Sequence, residues 1–516
     1  MLLVAAACGD DSPEVDGAVP VENTAPVKST VSSTTTTPEA VAESSPWPDG
    51  SPAEATDHPD DWVLPGRDYG NSRSTIASGI SSATVGQLEP VWEAEVGGPL
   101  STVPLIVGDR VYVQDGTGEV HAFDAATGDG VWSSEPTGFN IGPFGVAVGD
   151  GRVYAVYGST GVVALDIDSG EELWVSEITA TPTTGIDIQP LFFDGLVFAS
   201  TVPVSLGGIY TGGDRGVLHA LDAATGEVRW TFDTVDSEDL WGNPDVNSGG
   251  GSWYPPAIDA DRGLVYWGVA NPAPFPGTAE FPNASSRPGP NLYTNSAVAL
   301  DIQTGDPRWY HQVVPHDLFD RDLVHTMLVD LGDGDIVVTT GKGGTVVGID
   351  PDRGEPLWET AVGLHDNDDL EELSGATVVA PGTYGGVLTP PAWADGTVYV
   401  ATVNAPTELL PDATAYFGAP LGTNDGNITA IDAATGALVW DVTVPGDPLG
   451  AVAVVNDVLF TTLLSGEVVA LDRSTGEIID QWTLPGGTNG WMSVAGDLVV
   501  VPVGQAAPPR LVAYRL

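Results

Sequence analysis

One short phrase occurs seven times in this chain, and it limits the fold more than any other feature. Each copy has a small apolar run that ends in Asp, then usually Thr-Gly or Ser-Gly, then in most copies a Trp at a fixed distance. The anchoring residues are Asp124, Asp166, Asp222, Asp301, Asp350, Asp432 and Asp472. In the first six copies the Trp stands eight residues later, at Trp132, Trp174, Trp230, Trp309, Trp358 and Trp440. The seventh copy has Asp480 there and Trp482 just beyond. A repeat of this kind indicates a radial or stacked repeat fold.

The residues around each copy predict short antiparallel strands joined by tight turns. Alternating apolar segments such as GRVYAVYGSTGVVALD lie before the Asp, and a further β-prone run follows the turn. Four such strands per unit, with almost no helical periodicity, favour a propeller blade. We therefore predict an all-β, eight-bladed β-propeller of four-stranded antiparallel blades. In this prediction LEPVW, with Trp92, joins the C-terminal strands DLVVVPVG and RLVAYRL and closes the ring. A seven-bladed ring is the alternative.

The first 60 residues differ in composition from the rest. MLLVAAAC places an apolar run directly before Cys8, the only cysteine, and a Ser/Thr/Pro-rich stretch follows. An apolar run that ends at Cys resembles a bacterial lipoprotein signal, although the basic start of such a signal is missing. The alternative is a free thiol in a disordered tail. We predict a signal remnant with a lipidated Cys8 over residues 1–8, a disordered tether over 9–60 and the propeller over 61–516.

Charge and composition exclude several classes of function. The 71 acidic residues against 16 basic ones give a net charge of −55, which disfavours nucleic acids and anionic membranes as partners. Solubility explains this charge more simply than an acidic docking surface does. One cysteine and seven scattered histidines provide no haem-attachment motif and no zinc site. No apolar segment is long enough for a transmembrane helix.

The repeat is broken in one region, which is the natural place for a site. Asp222 and Asp301 lie 79 residues apart, whereas the first two copies are 42 residues apart. The excess contains GGGSW and VYWGVANPAPF, and WYHQVVPHDLFDRD follows the next copy's turn. Insertions at a propeller's rim or channel mouth commonly carry function.

These segments, in this order, resemble those of the pyrroloquinoline quinone (PQQ)-dependent alcohol dehydrogenases, which are eight-bladed propellers. GRDYGNSR, at Gly66 to Arg73, also resembles the segment that leads into the first blade in that family. The likeness runs from about Asp61 to Leu516. It implies PQQ and a calcium or lanthanide ion as cofactors.

The resemblance also implies roles for five residues. Trp253 matches the floor beneath the quinone, and Lys342 matches a basic residue that contacts the quinone oxygens. Asn271 matches a metal ligand, and Asp320 matches the general base, which also binds the metal. Asp322 stands where the lanthanide-using branch has an additional acidic ligand. Taken singly, the carboxylates of this stretch are also typical of turn residues that cap backbone amides.

Three departures from the family pattern concern the same site. Thr211 stands where the family has a metal-binding Glu. An ion would therefore have to rely on Asn271, Asp320 and Asp322, or recruit an acid such as Asp214. The family's adjacent cysteines near the quinone are absent. Leu388 and Thr389 replace an Asn-Trp that relatives often have.

Two hypotheses for function follow. The first is an extracytoplasmic quinoprotein dehydrogenase, anchored by lipid or secreted, that oxidises a small-molecule alcohol, sugar or polyol. Because the chain has no haem motif, its electrons would pass to a separate electron-acceptor protein. The second is a non-catalytic propeller lipoprotein that acts as a binding or assembly scaffold at the cell surface.

Overall fold

The computed structural model describes most of the chain from Trp47 to the C-terminus. The described residues are 47–139, 142–181, 184–186, 188–203, 212–332, 334–413 and 421–516. Cys8, most of the predicted tether and Thr211 lie outside them, so the predictions for these residues stay predictions. Within the described ranges, no helix combines the length and apolar character that crossing a bilayer requires.

The N-terminal part of the described chain packs before the first blade begins. Helix α1 (Ala53–Thr56), strand β1 (Ser74–Thr75), a 3-10 turn (Val85–Gln87) and strand β2 (Glu89–Glu95) follow one another. Trp47 is only 7% exposed, and its ring lies 5.9 Å from that of Tyr69. Residues 47–60, which the sequence assigned to the tether, therefore include packed structure.

Four-stranded antiparallel sheets follow as the blades of a propeller. The first contains β3 (Leu105–Val107), β4 (Arg110–Gln114), β5 (Val120–Asp124) and β6 (Gly130–Ser133). The second contains β7 (Val146–Gly149), β8 (Arg152–Tyr157), β9 (Gly161–Asp166) and β10 (Glu172–Glu177). After the short strand β11 (Thr184–Gly185), the third contains β12 (Leu191–Phe193), β13 (Leu196–Pro203), β14 (Arg215–Asp222) and β15 (Val228–Asp233).

The middle blades carry the insertions. A 3-10 turn (Leu240–Gly242) and β16 (Ser248–Gly250) come before the fourth blade. That blade contains β17 (Ala257–Asp259), β18 (Leu264–Gly268), β20 (Ser296–Asp301) and β21 (Pro307–Gln312), with β19 (Pro272–Ala273) inserted. The fifth contains β22 (Leu323–Asp330), β23 (Asp335–Gly341), β24 (Thr345–Ile349) and β25 (Pro356–Ala361).

The remaining strands form two further blades and a last sheet. After β26 (Thr377–Val379), the sixth blade has β27 (Ala392–Ala394), β28 (Thr397–Val403), β30 (Gly426–Asp432) and β31 (Leu438–Val444); the inserted β29 (Thr407–Leu409) pairs with β26. The seventh has β32 (Ala453–Val455), β33 (Val458–Thr462), β34 (Glu467–Asp472) and β35 (Ile478–Thr483). A last sheet joins β36 (Ser493–Ala495), β37 (Leu498–Val503) and β38 (Arg510–Arg515) to β2 from the other end of the chain. The prediction of an all-β propeller with four-stranded antiparallel blades is confirmed.

The repeated Trp and Gly explain how neighbouring blades hold together. The Trp230 indole N–H donates to the Ile302 carbonyl at 2.8 Å, and the ring lies over Gly305 in the same turn of the next blade. Gly305 has φ +72°, and a Cβ there would lie 2.6 Å from the ring, so both backbone and space require glycine. Equivalent bonds join Trp92 to Ala125, Trp132 to Ile167, Trp174 to Ala223, Trp309 to Pro351, Trp358 to Ala433 and Trp440 to Arg473.

The seventh copy, which lacks this Trp, packs differently. Trp482 lies two residues beyond the usual place, and its ring stands edge-on to that of Tyr514 at 5.6 Å. Tyr514 belongs to β38, so the seventh blade contacts the last sheet through this aromatic pair. Trp92 on β2 then provides the regular contact from the last sheet to the first blade.

Candidate functional site

The broken part of the repeat forms an extra ladder beside the third and fourth blades. Strand β16 pairs in parallel with β14 and antiparallel with β19, in the register Arg215 to Gly249 to Pro272. The strands approach so closely that a Cβ on Gly216 would lie 2.0 Å from the Gly251 nitrogen. The end of β16, which leads to Trp253, therefore lies beside the start of β19, which Asn271 precedes.

A second pairing brings the acidic segment next to the predicted lysine. Leu323 at the start of β22 pairs with Gly341 at the end of β23. Asp322 and Lys342 extend this pair, and the Lys342 N–H donates to the Asp322 carbonyl at 3.0 Å. The sheet register thus places residues 20 apart in the sequence side by side.

The lysine ammonium lies between two buried carboxylates. Lys342 Nζ is 2.5 Å from Asp322 Oδ2 and 3.1 to 3.2 Å from the two oxygens of Asp320. Asp320 is 4% exposed and Asp322 1% exposed. Two carboxyl groups share one ammonium here, so the cluster has more acidic groups than cations where water is scarce.

Asn271 joins the cluster through its backbone. Its N–H donates to Asp322 Oδ1 at 2.8 Å, and the residue is 4% exposed. Its side-chain Nδ2 donates to the Pro272 carbonyl at 3.2 Å. The amide nitrogen is therefore held by the backbone of its own motif.

Asp317 shapes the turn that presents Asp320. Its carboxylate accepts N–H bonds from Phe319 at 2.8 Å and Arg321 at 2.7 Å, and a bond from Asn295 Nδ2 at 3.0 Å. Asp320, between those two amides, has φ +64°, a left-handed backbone that few non-glycine residues adopt. The turn-capping explanation thus fits Asp317, whereas Asp320 and Asp322 face the lysine.

Trp253 belongs to a cleft next to the charged cluster. The cleft has a volume of about 470 Å³, and Trp253, Asp322 and Lys342 line it together with Tyr254 and Leu388. Asp320 contacts this cleft through Lys342. All five predicted residues therefore meet in one place, although no bond connects Asp214 to them in the described residues.

Burial changes the protonation of the predicted base. Loss of water around Asp320 raises the pKa of its carboxyl well above the usual range, and nearby Asp322 and Asp317 add to the rise. The Lys342 ammonium acts in the opposite direction and lowers that pKa. An additional cation at the cluster would favour the ionised form of Asp320 further.

The arrangement fits the cofactors that the resemblance implies. Carboxylate and amide oxygens are the ligands of hard cations such as calcium, and a bound cation would favour the ionised form of both carboxyl groups. An indole in the wall of the cleft suits a planar ligand. If the cofactors bind here, Asp320, Asp322 and Asn271 would hold the metal, and Trp253 and Lys342 would contact the quinone.

A second group of possible metal ligands lies in the first blade. Asp115, Glu119 and His121 have ligand atoms within 4.8 Å of one another. Asp115 Oδ2 accepts bonds from Gly97, Gly98 and His121, and its Oδ1 accepts from Thr117. Because these donors already satisfy the carboxylate, the group holds a turn in place and offers little to a metal.

Sequence reasoning missed one residue of the site. Tyr254 lines the cleft, and its hydroxyl donates to the Leu388 carbonyl at 2.7 Å. The ring packs against His325 with centroids 4.2 Å apart and against Trp491 at 5.5 Å. Its place directly after Trp253 was the available signal, but contacts to residues 71 and 237 positions away have no local signature.

Comparison with protein-family models identifies two matching families. Residues 184–376, which contain the whole cluster, match the model described as glucose/ethanol/alcohol dehydrogenase, beta-propeller domain. Residues 73–202 and 424–514 match the model described as outer membrane protein assembly factor BamB. The dehydrogenase match therefore coincides with the region where the repeat is broken.

Several individual proteins are similar in sequence. Quinohemoprotein alcohol dehydrogenase from Comamonas testosteroni is 27% identical over 303 residues, covering 52% of this chain and 41% of the relative. Polyvinylalcohol dehydrogenase from Pseudomonas sp is 26% identical over 58% of this chain and 51% of the relative. The chain thus spans about half the length of these relatives. The putative dehydrogenase XoxF from Paracoccus denitrificans is 27% identical over 78% of this chain and 80% of its own.

Solved structures support the fold. The Comamonas testosteroni quinohemoprotein alcohol dehydrogenase superposes with a TM-score of 0.75 at 22% identity, over 88% of this chain and 80% of the other. A europium-containing methanol dehydrogenase superposes with a TM-score of 0.73 at 19% identity, over 89% and 98%. At these identities the likeness establishes the propeller architecture.

Proposed function

We propose that this chain carries a β-propeller domain of the PQQ-dependent alcohol dehydrogenase type and is an extracytoplasmic dehydrogenase that oxidises an alcohol, sugar or polyol. The observation that carries the proposal is the convergence of Asp320, Asp322 and Lys342 beside the cleft that Trp253 lines. The names of the relatives point to the same chemistry.

Each residue of the cluster has a role in this reaction. Bound PQQ supplies the two-electron acceptor for the hydride that leaves the hydroxyl-bearing carbon, and the metal supplies Lewis acidity. Asp320 accepts the proton of the substrate hydroxyl, so alcohol becomes carbonyl with one hydride and one proton removed. Lys342 would place a positive charge beside the quinone oxygens, and Trp253 would offer a flat surface to the quinone ring.

The metal is held by Asp320, Asp322 and Asn271 in this proposal. A calcium or lanthanide ion accepts carboxylate and amide oxygens, and the second carboxylate suits the more highly charged ion. Asp322 then replaces the Glu that the family has at the position of Thr211. The electrons leave the site to a separate acceptor protein.

A titration of the full chain with PQQ, in calcium and separately in a lanthanide, tests the proposal. We expect saturable binding and dye-linked oxidation of alcohols, and we expect Asp320→Asn to abolish turnover while PQQ still binds. Asp472→Asn, which changes an exposed turn carboxylate of the seventh copy, is the matched control and should keep full activity. Turnover by Asp320→Asn would refute the assigned base.

A non-catalytic scaffold at the cell surface is the second candidate. The match of residues 73–202 and 424–514 to an assembly-factor model favours it, since those ranges exclude the charged cluster. Absence of PQQ binding with either metal would favour this candidate over the dehydrogenase.

Cell attachment and blade number complete the proposal. Lipidation at Cys8 would anchor the protein outside the cytoplasm, and radiolabelled fatty acid should be incorporated into the wild type but not into Cys8→Ser.

The ring contains eight blades in this proposal, the last being the sheet of β36, β37, β38 and β2. The antiparallel register of Glu93 with Val512 and Ala94 with Leu511 supports this count. A disulfide between Glu93→Cys and Val512→Cys should form in high yield, and failure to form would count against the ring closure.

A further inference from the structure

A larger cavity, here called the mouth cavity, opens beside the cleft. Its volume is about 1120 Å³, against 470 Å³ for the cleft, and the two share Pro143, Tyr254 and Leu388 in their walls. Interblade loops from opposite ends of the chain form the rest of the wall, including Leu100 and Leu449. A molecule that places one group in the cleft therefore has room to extend into the mouth cavity.

The lining of the mouth cavity carries no charged side chain. None of the described residues that line it is Asp, Glu, Lys, Arg or His, although charged residues make up 17% of a chain with net charge −55. A charged ligand would find no ion-pair partner in this wall, and the field of the whole protein would repel an anion. The cavity is therefore suited to a neutral ligand.

The side chains of the wall combine flat rings with hydrogen-bonding groups. Phe139, which is 69% exposed, and Trp491 provide aromatic surface, while Asn489 and Gln505 provide amides. Rings of this kind pack against C–H surfaces, and amides donate and accept hydrogen bonds with hydroxyl groups. This mixture is complementary to a chain that alternates carbon surface with hydroxyl groups.

Two polar atoms in the wall have no protein partner among the described residues. Thr389 Oγ1 and Trp491 Nε1 are buried, in side chains that are 4% and 2% exposed, and neither forms a hydrogen bond. A buried polar group without a partner is costly, and a ligand hydroxyl that reaches it removes that cost. Other atoms of both residues line the mouth cavity, and the two unpartnered atoms are buried behind that surface.

We propose that the mouth cavity binds a neutral polyhydroxylated oligomer, with several units on its wall while one hydroxyl reaches Asp320 beside the cleft. This inference rests on the dehydrogenase proposed above and specifies its substrate class. Contacts with the remote units hold the reacting hydroxyl in place, so they raise kcat/KM for an oligomer above that for a small alcohol.

Equilibrium binding to the full chain, measured by calorimetry, tests the inference apart from turnover. The probes are a short oligomer of vinyl alcohol, maltoheptaose and an oligogalacturonate of the same length as maltoheptaose. At least one neutral oligomer should bind with a Kd that is unchanged between 50 and 500 mM salt, and the oligogalacturonate should bind at least about tenfold more weakly. The neutral oligomer that binds identifies whether the hydroxyls come from a polyalcohol or a glycan.

Two variants locate the binding in the mouth cavity. Thr389→Val and Trp491→Phe remove the unpartnered atoms but keep most of the side-chain volume, and each should raise the Kd of the oligomer by about three- to tenfold. Thr461→Val and Trp482→Phe make the same changes at buried atoms that also lack a partner but lie outside the mouth cavity, and they should leave the Kd unchanged.

The outcomes separate this inference from the proposed dehydrogenase. Oxidation of small alcohols without binding of either neutral oligomer overturns the inference and leaves the dehydrogenase intact. Oligomer binding that Thr389→Val and Trp491→Phe weaken, in a protein that never binds PQQ, supports the mouth cavity and overturns the dehydrogenase. Equal effects of the test and control variants, or a cavity filled by water only, overturn the inference.

Discussion

Aspartates occupy both the repeat turns and the candidate site, but their surroundings differ. At the rim, Asp222 Oδ1 accepts N–H bonds from Ala224 at 3.1 Å and Thr225 at 3.0 Å, two and three residues later. The Arg308 side chain lowers the pKa of Asp301, the Ser474 hydroxyl lowers the pKa of Asp472, and turn N–H bonds add to the lowering in both. In the site, burial raises the pKa of Asp320, and its ion-pair partner Lys342 lies 22 residues away.

The difference shows how one residue type serves stability in one place and chemistry in another. A turn aspartate is satisfied by its own neighbours, so it needs nothing from the rest of the fold and offers nothing to a ligand. A buried aspartate whose partner is a distant lysine depends on the fold and retains the capacity to exchange a proton or bind a cation. Four predictions test this contrast.

The largest effect should come from removing a rim indole. Trp230→Ala should lower the free energy of unfolding by about 3–5 kcal/mol, because it deletes a buried ring and the bond to Ile302. Trp253→Ala, whose ring lines an open cleft, should cost less stability but should abolish PQQ binding. Urea unfolding and cofactor titration measure the two effects. Equal losses of stability would mean that the rim and site indoles do not differ in role.

Breaking the buried ion pair should come next. Lys342→Met should lower the free energy of unfolding by about 3 kcal/mol, since it leaves two carboxylates buried without their cation. Arg308→Met removes the 57%-exposed partner of Asp301 at the rim and should cost less than about 1 kcal/mol. Comparable losses in urea unfolding would contradict the contrast between the two regions.

A pH effect should follow from the histidine behind the cleft. His325 packs on Tyr254, and burial, with the Arg73 guanidinium nearby, lowers its pKa to about 3. The unfolded chain therefore takes up a proton below pH 6.5 that the folded chain refuses, so the stability that neutral His325 contributes is complete above pH 6.5 and is lost as the pH falls toward 3.

Denaturant titrations at two pH values measure this contribution. Between pH 7 and pH 5 it should amount to about 2 kcal/mol, and His325→Gln should remove that part of the pH dependence. An unchanged profile in His325→Gln would show that the histidine is not kept neutral by burial.

The smallest effect should come from a single turn carboxylate. Asp222→Ala should lower the free energy of unfolding by about 1 kcal/mol, because its bonds to the turn amides are lost. Asp168→Ala removes an exposed carboxylate from the turn of the second copy and should have no measurable effect on the free energy of unfolding. If Asp222→Ala lowered the free energy of unfolding as much as Lys342→Met does, the turn aspartates would stabilise the fold by more than their local hydrogen bonds.

The sequence predicted the repeat turns and the candidate site to different extents. The phrase around Asp222 and Trp230 predicted the strands, the tight turns and the blade architecture, because those bonds join residues that are close in the chain or repeat at a fixed distance. The five site residues were predicted by resemblance alone. Nothing in the local pattern set Asp320 apart from Asp317, although the structure shows that one faces Lys342 and the other caps a turn.

By itself the sequence determined an all-β propeller, since periodic apolar strands, Asp-to-Gly turns and a Trp per copy allow few other solutions. Only the tertiary structure decided that Trp253, Tyr254, Asp322 and Lys342 share a cleft, and that an uncharged cavity opens next to it. The physical reason is the range of the interactions. Turn bonds and strand alternation act over a few residues, whereas burial, ion pairing and cavity shape depend on segments that only the closed ring brings together.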